Sequence, residues 1–414
     1  MKSINSTFIS KRNEIYSYGL MLIYPFFSLL VALRYWKVNY AKNIFIGVIV
    51  FIGMTALPEG DLERYQAMYY ENSSQSFESL LQNLISIKEG KFYIGLSSSI
   101  IGLAFDYHNI YFGFLYFIFG YFLVNFVFLV YEKNQNLKKS KFRLFLFLTF
   151  ALFFSIRNSI NLAFYTGAIF IIYWTTKAIF NSNTKYLIPI FLAPLFHFSL
   201  AMVFIPIALF LVLKSKTYVC VLLTLISFAI PQSAVTSVLG NFANDNENTL
   251  VESKYKNYAS EKGMESLNQR YSEGAINSNF KLRLLDNIKT IIFDYLINIG
   301  LIIIFFSLEK FKKNKLQLNL YNLILLLFAM SNIMLNISNG NRFQIFYITL
   351  TIVFFLSFYQ NKTKSKVVKV YYALVFPILF IFGIMNLYAC NKLISSNFFI
   401  SNYFIEILEH TNNE

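Results

Sequence analysis

The amino-acid sequence predicts an all-α polytopic membrane protein with about twelve transmembrane helices and with re-entrant or amphipathic elements at its outer face. Three observations predict it. The 414 residues are 56% hydrophobic and only 14% charged, against ~25% charged in soluble domains. The apolar residues come in long runs, and the mean hydropathy is +0.51. The Lys and Arg residues gather in short loops between those runs, as cytoplasmic connections of multi-span proteins do.

That charge distribution also argues against nucleic acid as the partner of a chain with net charge +15. Cys220 and Cys390 both fall in apolar segments and no CxxC pattern occurs, so neither a disulfide framework nor a metal site is indicated. The stretch MKSINSTFISKRNEIYSYGL lacks a signal-peptide apolar region with a small-residue cleavage site. The first helix is therefore expected to serve as the insertion signal.

In chain order, apolar runs predict helices over 15–33, 43–57, 109–131, 143–157, 159–179, 186–197, 198–213, 217–238, 288–308, 318–337, 343–359 and 368–390. The runs flanking Arg157 and His197 are shorter than the ~20 residues of a full crossing. The loop charges justify the division. Basic loops lie at 34–42, 133–143, 177–185, 214–216, 310–315 and 362–369. If all six are cytoplasmic, two spans separate each consecutive pair. The stretch 187–213 is then a hairpin, aided by Pro189, Pro194 and Pro206, since proline removes a helical donor. The stretch 142–180 is a second hairpin, with Arg157 near its apex. Residues 93–105 become a non-crossing, amphipathic or re-entrant element on the outer face. The same count places the N-terminus outside, against the charge of Lys2, Lys11 and Arg12.

The whole chain, 1–414, reads as a single integral-membrane domain. Two long segments fall outside: 58–108, an acidic loop with an amphipathic helix, and 239–287, a large extracytoplasmic loop with Tyr255, Tyr258 and Tyr271. Loops of this length are functional or disordered. No internal repeat of the transporter type is evident.

With this topology Arg157, His197 and Arg342 fall at outer-face helix junctions, in FSIRNSI, PLFHFSL and SNGNRFQ. A guanidinium in hydrocarbon costs ~2.5–3.5 kcal/mol on insertion scales, and a polar turn between helices avoids that cost. Asp61 follows the second span, in PEGDLERYQAMYY. Two guanidiniums and an imidazole at one face suit a phosphate-bearing substrate, because Arg offers paired donors to phosphate oxygens. His acts as a base or as a neutral donor. Asp61 activates a hydroxyl, orients an arginine, or simply caps the helix that follows. Each residue also has a plainer role: Arg157 as a topological stop, His197 as a hydrogen-bonded turn residue, Arg342 as an interface anchor.

These landmarks resemble the EpsG-type branch of the Wzy-like O-antigen and exopolysaccharide polymerases. The family pattern has two helices and then Gly-x-Asp-x3-Tyr-x3-Tyr. Here Gly60 directly precedes Asp61, one residue off, while Tyr65 and Tyr69 keep their places. Glu89, Gly90 and Phe92 approximate the next segment, and Arg157–Asn158, His197–Ser199 and Arg342 match the later ones. The landmarks cover roughly residues 15–360.

The resemblance implies a fold related to integral-membrane glycosyltransferases and a multi-pass place in the bacterial cytoplasmic (inner) membrane. It implies a polymerase of lipopolysaccharide or exopolysaccharide biosynthesis that joins undecaprenyl-pyrophosphate-linked repeat units. Arg157, Arg342, Asn158 and Tyr65 would bind substrate, and His197 and Asp61 would act in catalysis. The lipid-linked oligosaccharide and membrane lipid are the expected partners, with a flippase and a chain-length regulator as candidate protein partners. Neither a nucleotide-binding glycine loop nor a DxD motif is present, consistent with a lipid-linked donor and no cofactor. A flippase for lipid-linked oligosaccharides and a ligase-like transferase remain as alternatives. The flippase should place charge through the bilayer depth, the polymerase at one face.

Overall fold

The computed structural model of the protein describes residues 2–58, 60–73, 78, 92–105, 107–134, 141–153, 161–214, 216–245, 288–289, 291–307, 314–337, 339–360, 366–389 and 394–408. Among them the regular elements are helices, and the one β-type pairing is an isolated bridge between Ala56 and Ile394. Five helices are long and apolar enough to cross a membrane, or six if one bent pair counts as a span. Among the described residues the expected total of about twelve full crossings is therefore not reached. Apolar helices of 10–17 residues stand at several of the expected places, because prolines and polar turns divide the runs.

The first such division corrects an expectation. The run 15–33 is not one helix. It breaks at Tyr24, whose backbone leaves the helical region at φ −145 and ψ 76, into α1 (Lys2–Ile23) and α2 (Pro25–Arg34). Pro25 at the start of α2 has no N–H to continue α1. α3 (Asn39–Met54) packs against both. Asn43 Nδ2 donates to Tyr18 Oη at 2.9 Å, and Met21 lies where a Cβ on Gly47 would be. Sequence numbers rise together along α1 and α3, so the two run in the same sense and start at the same end. By the loop charges that end is cytoplasmic. The break at Tyr24 therefore places the start of α1 at the end of α3 that carries the basic 34–42 loop, opposite to the placement that a single helix over 15–33 gives.

α4 (Asp61–Ser73) follows α3, and α5 (Phe92–Ala104) packs against it and against the start of α6 (His108–Lys133). Tyr93 Oη donates to Leu115 O at 3.3 Å and Tyr111 Oη to Ile94 O at 3.4 Å. Those bonds pair α5 antiparallel with the first two turns of α6. α5 is a short apolar helix over 93–105, the stretch expected to be a non-crossing, amphipathic or re-entrant element, and it folds back on α6.

α7 (Lys141–Phe153) and α8 (Leu162–Phe180) stand on either side of the stretch 154–160, which lies outside the described residues. Trp36, Tyr131 and Phe147 pack together at the cytoplasmic end, and Phe126 meets Phe150 further up. α7 therefore rises. α8 descends to Lys177, whose ammonium sits over the rings of Tyr173, Trp174 and Tyr186 at 5.4, 4.7 and 4.9 Å.

Tyr186 opens the next hairpin. A 3-10 helix (Thr184–Leu192) and the short α9 (Ala193–Phe196) climb, the chain turns at His197, and a second 3-10 helix (Phe198–Val203) leads into the descending α10 (Phe204–Leu213). The expected reversal within 187–213 is present. Gly167 lets it lie against α8: a Cβ there would stand 2.2 Å from Leu200 Cδ1 and 2.9 Å from Phe196 Cβ.

α11 (Thr217–Ala229) rises beside α14 (Lys315–Met334), with Thr224 Oγ1 donating to Leu325 O at 2.9 Å. A bend of 95° then leads to α12 (Gln232–Asp245). A π-helical turn (Ile291–Ile297) continues into α13 (Asn298–Phe305). α15 (Gln344–Gln360) descends against α14, and α16 (Lys366–Ala389) returns. After the bridge at Ile394, α17 (Asn397–Ile400) and α18 (Tyr403–Leu408) run back down beside α3, where Phe398 packs on Phe51 and Tyr403 Oη donates to Gly47 O.

Candidate functional site

The first turn of α8 is the hub of the end of the bundle opposite the basic loops. Ala163 and Phe164 are both buried there. From one side comes α4, an amphipathic helix with Leu62, Tyr65 and Tyr69 on its buried face. Tyr69 stacks on Tyr111 with ring centroids 5.1 Å apart and donates to Phe105 O. Tyr70 Oη meets His108 Nδ1 at 2.9 Å, and Asn72 Nδ2 donates to Ser98 Oγ at 2.6 Å. These contacts strap α4 over α5 and α6. They place Tyr65, 0% exposed, with its hydroxyl hydrogen-bonded to the backbone of Ala163. First-turn backbone groups of a helix lack intrahelical partners, so Tyr65 helps to complete the start of α8.

Arg342 lies within electrostatic range of the same hydroxyl. Burial pushes Tyr65 up to about 12, and the backbone of Ala163, then Arg64 and Arg342, oppose that rise. Arg342 is held by a tight turn. Asn339 is left-handed at φ 61, and a 3-10 helix (Gly340–Phe343) follows. A Cβ on Gly340 would lie 1.6 Å from Met334 O, so only glycine lets the turn close on the end of α14.

His197 reaches the hub through Phe164. The two rings meet edge to face at 5.6 Å and 84°, and Phe164 touches Phe343 at 5.6 Å. His197 caps the 3-10 helix after it: Nδ1 accepts the Ser199 N–H at 3.4 Å, and Ser199 Oγ lies 2.8 Å from the same nitrogen.

The structure thus brings Tyr65, Arg342 and His197 around Ala163 and Phe164. Asp61 stands at the start of α4, ion-paired with Arg64. The Asp61 side chain is 11% exposed and that of Arg64 is 70% exposed. Arg157 and Asn158 lie outside the described residues, between the end of α7 at Phe153 and the start of α8 at Leu162. Glu89 and Gly90 also lie outside them. Among the described residues there is no group of three His, Cys, Asp or Glu side chains placed to hold a metal.

Sequence reasoning missed Phe164 and the Tyr70–His108 pair. Phe164 is one of 48 phenylalanines and carries no local mark of its role. The spacing of Tyr65, Tyr69 and Tyr70 on α4 was the available clue to the second.

An all-helical bundle with several helices apolar enough to cross a membrane defines a multi-pass membrane protein, with Tyr65, Arg342 and His197 near the first turn of α8. The chain belongs to the EpsG family, whose match spans residues 38–405. That membership supports a role like that of a polysaccharide polymerase, with glycosyltransferase-like chemistry. The comparisons match no curated protein and no solved structure.

Proposed function

We propose that the protein polymerises undecaprenyl-pyrophosphate-linked repeat units at the outer face of the cytoplasmic membrane. The observation that carries this reading is the convergence of Tyr65, Arg342 and His197 on the first turn of α8. Their grouping at one end, instead of along the bilayer depth, favours chemistry over transport.

In the reaction the non-reducing-end hydroxyl of one unit attacks the anomeric carbon of another. The new C–O bond forms as the anomeric C–O–phosphoryl bond breaks, and its electron pair leaves with undecaprenyl pyrophosphate. The acceptor's proton passes to water at the outer face, directly or through His197. Arg342 and Arg157 bind the pyrophosphate and offset its growing charge, which accelerates the step because the charge is larger in the transition state. Asn158 donates to the same anion. Tyr65 is a neutral donor beside Arg342. Asp61, with Arg64, contributes to acceptor binding at the rim.

The test is reconstitution. Protein in liposomes supplied with undecaprenyl-pyrophosphate-linked repeat units should yield a ladder of chains and one undecaprenyl pyrophosphate per linkage. Single units alone, or transfer only to an unrelated lipid acceptor, would overturn the reading.

A further inference from the structure

We propose that α12 lies flat on the membrane, with Ala234 and Val238 in the lipid headgroup layer, and that it marks the depth of the turn carrying Arg342. The placement of α12 rests on the fold alone. Its consequence for a lipid-linked donor rests on the polymerase reading.

α11 and α14 run side by side in the same sense. Asn322 Nδ2 donates to Lys214 O at 2.8 Å, Thr224 Oγ1 to Leu325 O at 2.9 Å, and Asn332 Nδ2 to Ser227 Oγ at 3.0 Å. α14 is long and apolar enough to cross a membrane. α11 therefore follows the direction of a crossing, and the 95° bend after it turns α12 towards the membrane plane. The bend has a local cause. Pro231 lacks a helical N–H and favours an extended residue before it, and Ile230 is extended at φ −76 and ψ 113.

α12 is amphipathic. Ala234, Val235 and Val238 recur at helical spacing, and the sequence repeats the pattern at Leu239 and Phe242. Ser233, Thr236, Ser237 and Asn241 fall on the other arc. Val238 is 66% exposed, and among the described elements no helix packs extensively on α12. An apolar stripe without a protein partner at the end of a crossing helix is stabilised by lipid. Leu222, Leu225 and Phe228 of α11 are exposed as well and lead up to the bend. α12 carries no Lys or Arg. It is held by apolar burial, not by attraction to anionic headgroups.

The bond between Ser227 and Asn332 sets the bend level with the end of α14. The turn carrying Arg342 closes on that same end, at Met334. α12 and Arg342 therefore share a depth. With α12 in the headgroup layer, the phosphate of a lipid-linked donor reaches Arg342 without leaving that layer, and its apolar tail stays in the bilayer.

Nitroxide labels test the placement without reference to activity. They are attached to single cysteines in a Cys220→Ala, Cys390→Ala protein reconstituted in phosphatidylcholine vesicles. On Val238→Cys and Ala234→Cys they should collide with oxygen, which concentrates in lipid, more than with a water-soluble nickel chelate, and report a depth of about 5–10 Å. On Ser237→Cys the label should favour the chelate. Adding phosphatidylglycerol or salt should leave these profiles unchanged. A Val238→Cys label that favours the chelate puts α12 in water and overturns the proposal. A label shielded from both reagents shows that protein covers the stripe, from this chain or a second copy, and overturns it too. Should Val238→Cys fail to insert, Ala234→Cys carries the same test. A marked dependence on anionic lipid overturns the apolar mode of binding. Leu335, exposed at the end of α14, reads the shared depth: a Leu335→Cys label in mid-bilayer or in water overturns it. A wild-type protein that makes no polymer would instead overturn the polymerase reading and leave the placement of α12 intact.

Discussion

Replacing Gly340 with alanine should disable the site without unfolding the bundle. The added Cβ would stand 1.6 Å from Met334 O and 2.4 Å from Met334 C, against the 3.0 Å that real Cβ contacts respect. The obstacle is backbone, not a side chain that swings aside, so the turn must open by about 1.4 Å. Overpacking of this kind costs about 1–3 kcal/mol, too little to unfold a bundle whose buried core runs through most of its helices. Its effect on geometry is larger. Arg342 lies two residues on, and a misplacement of about 1 Å costs about a hundredfold in rate. The assay is the chain-length ladder of reconstituted protein, read beside a thermal unfolding curve. Gly95→Ala is the control, since nothing lies within 4 Å of a Cβ there. Gly340→Ala should give mostly single units with an unfolding midpoint near wild type, and Gly95→Ala a normal ladder. A wild-type ladder from Gly340→Ala would refute the link between this turn and the placement of Arg342.

Further outcomes follow from the same geometry. Arg157→Ala and Arg342→Ala should each abolish long chains while single repeat units persist, and a properly inserted variant with wild-type chain lengths would remove that arginine from the pyrophosphate clamp. Asp61→Asn should raise the KM for acceptor units with kcat little changed, because its carboxylate is engaged by Arg64; a fall in kcat at saturating acceptor would assign it to the chemical step. Tyr65 is raised by burial to about 12 from 10.0, so folding favours its protonated form. The stability it contributes is complete below pH ~10 and is lost as pH rises towards ~12. Thermal unfolding at stepped alkaline pH should show a smaller decline in Tyr65→Phe than in wild type, and equal declines would contradict the buried placement. Finally, a single cysteine introduced at Asn5 should be labelled by a membrane-impermeant reagent only in inverted vesicles, as α1 starts at the same end as the basic 34–42 loop. Labelling in intact cells would refute that orientation.

Much of the fold was legible because hydropathy and loop charge act locally. The reversal at His197 could be read from Pro189, Pro194 and Pro206 together with the basic loops on either side. The short helix α5 lies where counting spans between those loops asked for an extra non-crossing element. The break at Tyr24 was not legible: the run around it is apolar throughout, and Pro25 alone fits a kink as well as a reversal. Contacts of α1 with Asn43 and Gly47 decide between them. For the site, sequence pointed to Arg157, His197, Arg342 and Asp61 as residues of one face, and the family resemblance added Tyr65 and Asn158. It did not say which of them meet.

By itself the sequence determined that this chain is an all-helical, multi-pass membrane protein, and it predicted that the basic loops share one side and the polar helix junctions the other. Those properties depend on the cost of placing each group in hydrocarbon, which neighbours in space alter little. Only the tertiary structure decided that Ala163 and Phe164 join Tyr65, Arg342 and His197, that Asp61 is paired with Arg64, and that Ser199 claims the Nδ1 of His197. Such facts depend on which faces of distant helices pack together and which donors end up beside which lone pairs. Directional contacts of that kind exist only once the chain has folded.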